Sequence, residues 1–383
     1  MDDMIRDDIH VVWVLATWDI STAPGTTEPY YLVRKFAEHW ETHVFAPLSK
    51  PIESVDQHRI PVASISAAIL FNTVLVPYFI WQAIRKPPDL VYAYRNIFVP
   101  VLIAKLFTNA TVVYDIRADP YAQAKEFEEH EDSQSQIYHL LLRVTRILHR
   151  FTLPRADGVI TLSESLADRV HSNYGVPRNK VGIIPLAVDP GKFTPKEENK
   201  NHFKVVYVGA LREFRGIDDL VRALTALEPE LRSKVQLELY GGADEEYIQS
   251  LQDLTQDRLS INWHGHVAHD QLARQVAICD VAASPLPPLD SFEVSSPAKI
   301  YEYLALGLPI IATDITPHRR ILTEECSILV PPGDTKVMTD AFEKVLSDTR
   351  YRSELSEGAR RLALENTWTD RFKKLCGHLD SWT

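Results

Sequence analysis

The residues best suited to hold an anion fall in two short stretches of the second half of this chain. In SPLPPLDSFEVSSPAKIYEYLALGLPIIATD, Ser284 to Asp314, a helix begins near Pro297 and is stopped by Gly307 and Pro309. A helix start leaves backbone N–H groups unpaired and carries the positive end of the helix dipole. The stretch Ser296, Pro297, Ala298 and Lys299 is therefore a ready phosphate site. In VVYVGALREFRGIDDLVRAL, Val205 to Leu224, a strand ends at Gly209 and the following loop carries Arg212 and Arg215. A guanidinium holds two phosphate oxygens at once and offsets the charge that develops as a diphosphate leaves. Lys299 adds a third cation; its alternative role is that of ion-pair partner to Glu302, one turn further on.

The first half offers less. TVVYDIRADPYAQ, Thr111 to Gln123, ends a strand with Arg117 and Asp119. Such a pair orients an acceptor or stabilises a leaving group, or else is a plain structural salt bridge. Gly25, in APGTTEPYY, lets the backbone approach a diphosphate, or simply turns the chain. No DxD motif stands on a suitable loop: Asp218-Asp219 lies inside a helical stretch, and Asp2-Asp3 and Asp7-Asp8 are at the terminus. Cations and a helix start are thus expected in place of a metal, and no cofactor is expected.

These residues must be held by α/β elements. Strand-like runs recur at Ile9 to Ala16, Thr42 to Pro47, Asp89 to Tyr94, Thr111 to Ile116, Gly158 to Leu162 and Val181 to Pro185, with helical stretches between them. Runs of four to six apolar residues mark strands covered on both faces, hence a parallel sheet. After a polar stretch ending at His202 the rhythm restarts at Phe203 to Gly209, Val235 to Gly241, Ser260 to Gly265, Asp280 to Ser284, Pro309 to Thr313 and Ser327 to Val330. The spacing predicts two tandem, Rossmann-like, doubly wound parallel-sheet domains, over 1–190 and 203–365, joined by a linker at 191–202 and followed by a helix over 366–383. Open α/β sheets bind ligands at the carboxyl ends of their strands, so the functional site is expected between the two domains.

Composition excludes several classes. With 45% hydrophobic and 24% charged residues, the 383-residue chain matches globular proteins rather than disordered ones. A formal charge of -11 argues against general nucleic-acid binding, and no nucleic-acid partner is expected. Cys279, Cys326 and Cys376 are odd in number and widely spaced, which suggests neither a disulfide framework nor a zinc site. The acidic start lacks the basic lead of a secretory signal, so the expected location is cytoplasmic. Two segments point to the inner face of a membrane. Ile60 to Ile84 has no charged residue, and reads as a buried helix, a helix lying in a membrane surface, or a span. IYHLLLRVTRILHRFTLPR, residues 137–155, sets Arg143, Arg146 and Arg150 at helical spacing opposite apolar residues, the pattern of a helix that meets anionic lipid.

Taken in order, APGTTEPYYLVRKFAEHWETHVFAP (Ala23 to Pro47), RADGVITLSESLADRVHSNYGVPRNKVGIIPLAVDPGKF (Arg155 to Phe193), VVYVGALREFRGIDDLVRAL and SSPAKIYEYLALGLPII resemble glycosyltransferase family 4, across almost the whole chain. The resemblance implies the GT-B fold, with the last helix crossing back to the first domain. It also implies retaining, metal-free, hexosyltransferase-type transfer from a UDP- or GDP-linked sugar to a glycan or polyprenyl-linked acceptor. Glu302 matches the family's ribose-binding glutamate, while Val294 stands where the partner glutamate is expected and Glu293 lies one residue earlier. Arg215 takes the place of a phosphate-binding lysine, Ala210 that of an arginine for which Arg212 can substitute, and Ala118 departs from an Arg-Asp pair. Gly241 matches a turn bounding the nucleotide, and the run Trp263 to Val267 a loop whose backbone reads the base. A nucleotide-sugar 2-epimerase and a non-catalytic sugar-nucleotide-binding subunit remain the alternatives.

Overall fold

The computed structural model describes residues 6–21, 27–61, 64–94, 96–118, 136–196 and 202–382, so Gly25 and Asp119 lie outside the described residues. The chain divides into two units: Met1–Leu186 with Val294–Ser296 and Trp368–Thr383, and Ala187–Glu293 with Pro297–Thr367.

The first unit is built on seven parallel strands: β1 Val11–Leu15, β2 Glu41–Ala46, β3 Asp56–Arg59, β4 Leu90–Tyr94, β5 Thr111–Ile116, β6 Gly158–Thr161 and β7 Val181–Ile183, in the order β3-β2-β1-β4-β5-β6-β7. Its helices of eight residues or more are α1 Thr27–His39, α2 Ser64–Asn72, α3 Val76–Arg85, α4 Val99–Phe107, α5 Gln136–Thr152, α6 Glu164–Tyr174 and, from the far end of the chain, Trp368–Trp382. Alternation along the strands sorts the core into two layers. Trp13, Val91, Val112 and Tyr114 pack with Phe71, Phe79, Val101 and Ala104 of α2 to α4. Val12, Leu90, Val113 and Ile160 pack with Phe36 of α1 and with Phe372 and Leu379 of the late helix. β3, sequence DQHR, is absent from the apolar pattern because it is an edge strand bonded only to β2, with its ends exposed.

The uncharged stretch Ile60 to Ile84 is not one helix but two. Asn72 ends α2 because its amide is committed elsewhere: Oδ1 accepts the N–H groups of Phe98 (2.8 Å) and Val99 (2.9 Å) at the start of α4, and Nδ2 donates to Asn96 O at 3.0 Å. Pro77, which has no N–H to give, then sits in the first turn of α3. Among the described residues no helix is long and apolar enough to cross a membrane.

The second unit carries six parallel strands, β8 Phe203–Val208, β9 Val235–Tyr240, β10 Ser260–Trp263, β11 Val281–Ser284, β12 Ile310–Thr313 and β13 Ser327–Val330, in the order β10-β9-β8-β11-β12-β13. Around them lie α7 Ile217–Thr225, α8 Glu245–Thr255, α9 His269–Val276, α10 Ala298–Ala305, α11 Thr335–Ser347 and α12 Thr349–Leu364; the late helix of the first unit is α13. Every strand anticipated from the apolar runs is present. Both sheets reverse winding direction beside their first strand, at β1/β4 and at β8/β11, and such a switch point is where ligands bind in open sheets.

Candidate functional site

At the carboxyl ends of β8, β9 and β10 the loops are stitched into one floor. Gly209 N donates to Tyr240 O (2.9 Å), Leu211 N to Gly242 O (2.9 Å) and Gly241 N to Gly265 O (2.8 Å). The approach is so close that a Cβ on Gly241 would stand 1.9 Å from Gly209 O, and its φ of +147° is closed to other residues. Val208 N donates to Tyr303 OH at 2.7 Å, which fixes α10 against the end of β8. The Arg212 to Gly216 loop is pinned in turn: Gly216 at φ +72° passes the Pro285 carbonyl after β11, where a Cβ would fall 2.0 Å from the oxygen.

Two cations point into this floor, and among the described residues neither meets an anion. Lys299, in the first turn of α10, has a partly exposed stem but a buried Nζ with no hydrogen-bond partner, 4.0 Å above the Tyr207 ring. Burial drives its pKa well below the ordinary lysine value and the charge of Arg215 pushes it the same way, with only a partial offset from Glu302. Arg215 likewise has a buried Nε without a partner, its guanidinium lying over Phe292 at 4.9 Å and Phe214 at 5.6 Å. A buried charge lacking a counter-ion is costly, so this arrangement suits an anion that arrives from outside.

Lys299 is not the ion-pair partner of Glu302. The Glu302 carboxylate is taken by His269, the first residue of α9, with Nε2 to Oε1 at 2.8 Å. The ring of His269 abuts Phe193 edge-on at 5.2 Å, and its Nδ1 is buried without a partner. Nε2 must then carry the proton it shares with Glu302, which leaves the second carboxylate oxygen to a ligand. Sequence reasoning missed His269; a single histidine at a helix start carries no periodic or motif signal. It missed His318 too, which is fully buried, receives the Ser284 hydroxyl within 3.0 Å of Nε2, and bonds Thr313 O through Nδ1 at 2.7 Å. Burial lowers its pKa to about 4.

The remaining candidates are less central. Arg212 is exposed and paired with Asp244 at 2.5 Å, so Arg215 is the inner arginine. Val267 is half-buried beyond β10, where Trp263 Nε1 donates to Gly241 O at 2.9 Å. Val294 is buried and its carbonyl accepts from Ser163 Oγ (2.9 Å), while the Glu293 carbonyl accepts from Arg320 Nη1 (3.2 Å). Ser296 Oγ accepts the Leu186 N–H at 3.3 Å. In the first unit Arg117 is bonded to the buried Asp115, which also accepts the Tyr92 hydroxyl. Among the described residues the arginine's partner is thus Asp115, two residues before it, the carboxylate held inside the sheet. Among the described residues, the group whose atoms converge as metal ligands would is Glu41, His43 and Asp56 at the β2–β3 edge, and Lys86 Nζ already sits 2.6 Å from Glu41 there.

Residues 202–348 match the family described as Glycosyl transferases group 1, and residues 29–192 match Glycosyltransferase Family 4. The chain belongs to glycosyltransferase family 4. In this family 4 chain the group 1 match contains Gly209, Arg215, Gly241, Lys299, Glu302 and His269. It is 25% identical over 241 residues to a D-inositol 3-phosphate glycosyltransferase of Stackebrandtia nassauensis, covering 58% of this chain and 53% of that protein. Over 214 residues it is 25% identical to the MMP alpha-(1->4)-mannosyltransferase of Mycolicibacterium hassiacum, covering 54% and 49%. The family 4 chain thus spans about half the length of the curated relatives it matches. Its GT-B fold is shared with sucrose-phosphate synthase from Thermosynechococcus elongatus (TM-score 0.72, 18% identity, 97% of this chain and 98% of that one). It is also shared with Anabaena HepE in complex with UDP and glucose (TM-score 0.70, 17% identity, 97% and 99%).

Proposed function

We propose that this protein transfers a sugar from a UDP- or GDP-linked donor to a glycan or lipid-linked acceptor, with retention of configuration. The observation that carries the reading is the pair of buried nitrogens without a partner among the described residues, Lys299 Nζ and Arg215 Nε, at the switch point of the second sheet. A nucleoside diphosphate supplies the missing negative charge. Its phosphates meet Lys299, Arg215 and the N-terminus of α10; Glu302, steered by His269, accepts from the ribose hydroxyls; the glycine floor admits the backbone-close approach. The complex of HepE with UDP and glucose supports a sugar-nucleotide donor, and the relatives named as a mannosyltransferase and a D-inositol 3-phosphate glycosyltransferase support sugar transfer.

In the transfer, the bond from the anomeric carbon to the diphosphate oxygen breaks while the acceptor hydroxyl attacks the same face. The acceptor proton passes to the departing phosphate oxygen, so the products are the glycoside and the nucleoside diphosphate. Lys299 and Arg215 stabilise the charge that grows on that oxygen, the task a divalent ion performs elsewhere. A thermal-shift series with UDP, GDP and ADP tests the reading: a ligand at a hundred times its Kd stabilises the native state by about 2.7 kcal/mol. At least one diphosphate should stabilise the protein and its nucleoside should not. Equal responses to nucleoside and diphosphate would remove the phosphate role, and donor turnover without a transferred sugar product would favour an epimerase.

A further inference from the structure

One layer of the first unit is covered by helices whose outer side is wet yet apolar. The helices α2, α3, α4 and α5 hold ten of the thirteen large hydrophobic side chains exposed among the described residues, counting Val74 just after α2. The most open are Leu106 at 79%, Ile84 at 71% and Val74 at 68%, and Ile147, Trp81, Phe107 and Phe151 join them. The helices are neighbours: α2 and α3 pack on α4 around Phe71, Phe79 and Val101, and His149 of α5 meets Phe98 at the start of α4 with ring centroids 5.1 Å apart. Soluble monomers rarely leave such an extent of apolar side chain in water.

Charge says what covers it. The sequences of these four helices contain no Asp or Glu, in a chain that has 52 of them. They contain Arg85, Lys105, Arg143, Arg146 and Arg150, and Lys86 and Arg155 stand at their ends; Lys105 is paired with Asp157 and Lys86 with Glu41, so the arginines are the cations the proposal uses. Two of these cations lie against exposed rings, Arg85 at 5.0 Å from Trp81 and Arg155 at 3.9 Å from Phe151. A ring with its body in acyl chains and a guanidinium at headgroup level is the chemistry of a bilayer interface. A second copy of the same face would oppose cation to cation. The carboxylate-rich run Glu126 to Asp132 precedes α5 and lies outside the described residues, so it enters only as a charge that binding must overcome.

We propose that this face docks on an anionic lipid bilayer, with Trp81, Ile84, Leu106, Phe107, Ile147 and Phe151 at the acyl boundary and the arginines among the phosphates. The inference involves no residue of the second unit, so it stands or falls apart from the donor site.

The test is flotation of the full chain with vesicles of phosphatidylcholine alone and of phosphatidylcholine with one third phosphatidylglycerol. Each cation near an anionic surface strengthens partitioning about fivefold, so the triple variant Arg143→Glu, Arg146→Glu, Arg150→Glu should bind at least a hundredfold more weakly. Arg150 donates to Asn173 O, which that variant disturbs. A second variant, Leu106→Glu with Phe107→Glu, alters only exposed side chains and should also lose binding, while both keep the wild-type melting behaviour. Binding that needs phosphatidylglycerol, fades with salt and is lost in the folded variants is the expected result. Binding to neither vesicle, equal binding to both, indifference to the Leu106/Phe107 variant, or a solution dimer dissolved by that variant would each overturn the proposal.

Discussion

Replacing Lys299 with methionine should move stability and ligand affinity in opposite directions. Methionine keeps the length of the stem and removes an ammonium that is buried, unpaired and held against Tyr207. Removing a buried charge in favour of an apolar isostere is neutral to stabilising by about 1–4 kcal/mol, and the lost cation–π contact returns about 0.5–2 kcal/mol of that. The free protein should therefore gain roughly 1 kcal/mol, which is a rise of about 2–4 °C in Tm for a domain of 150–250 residues. Binding of the diphosphate loses one or two charge-assisted hydrogen bonds, about 2–4 kcal/mol, or roughly 30- to 1,000-fold in Kd. A proton signature accompanies this. Burial lowers the folded-state pKa of Lys299 below that of the unfolded chain. Between those two values the unfolded chain binds more protons, so the stability of the free protein rises with pH there, by at most about 1.4 kcal/mol per unit. An arriving phosphate raises the Lys299 pKa, so wild-type binding takes up protons as pH approaches the lysine range and Lys299→Met binding does not. Differential scanning fluorimetry across pH, and titration calorimetry in two buffers of different ionisation enthalpy, measure all three effects. A variant that melts lower than wild type and binds the diphosphate within threefold of it would refute the reasoning.

Glu302→Gln should reduce transfer by orders of magnitude with the melting profile intact, and near-normal turnover would end its assignment to the donor ribose. If His269 orients that carboxylate, the penalty wild type pays for a 2′-deoxynucleotide should shrink in His269→Asn, whereas a merely structural histidine would weaken both nucleotides alike. Transfer should persist in excess EDTA, because Lys299 and Arg215 supply the positive charge; loss on chelation with rescue by magnesium would show that they do not suffice. His318 has its pKa lowered from 6.5 to about 4 by burial, so the unfolded chain binds the extra proton in that window and stability falls as pH drops through it. The fall should be roughly 3 kcal/mol by denaturant titration, and should flatten in His318→Gln.

The two sheets were legible because strands buried on both faces need continuous apolar runs, and twelve of them stand out. β3 was not, since an edge strand with one partner has no such need and DQHR shows no period. The double helix in 60–84 turned on Asn72, whose bonds to residues 96–99 are long-range and leave no mark on its neighbours. At the site, Gly209, Arg215, Gly241, Lys299 and Glu302 could be placed by motif and chemistry. What could not be read was the pairing: Glu302 with His269 across 33 positions, and Arg117 with Asp115 within its own strand end. Spacing along a chain reports which residues share a helix face, whereas loop-to-loop partners are decided by topology.

The origin of α13 bears on how the protein is made. Phe372, Leu375 and Leu379 complete the layer formed by Val12, Val14, Val113 and Ile160, and Trp382 and His378 pack against Gly158 of β6 and Gly182 of β7. All seven strands of that sheet are synthesised before the second unit is begun. At 5–20 residues per second the first sheet waits on the order of ten seconds or more with one face covered by α1 but not by α13, while the second unit is synthesised and free to fold. A nascent chain stalled before Trp368 should therefore present a chaperone with the earlier-made half, not the later one.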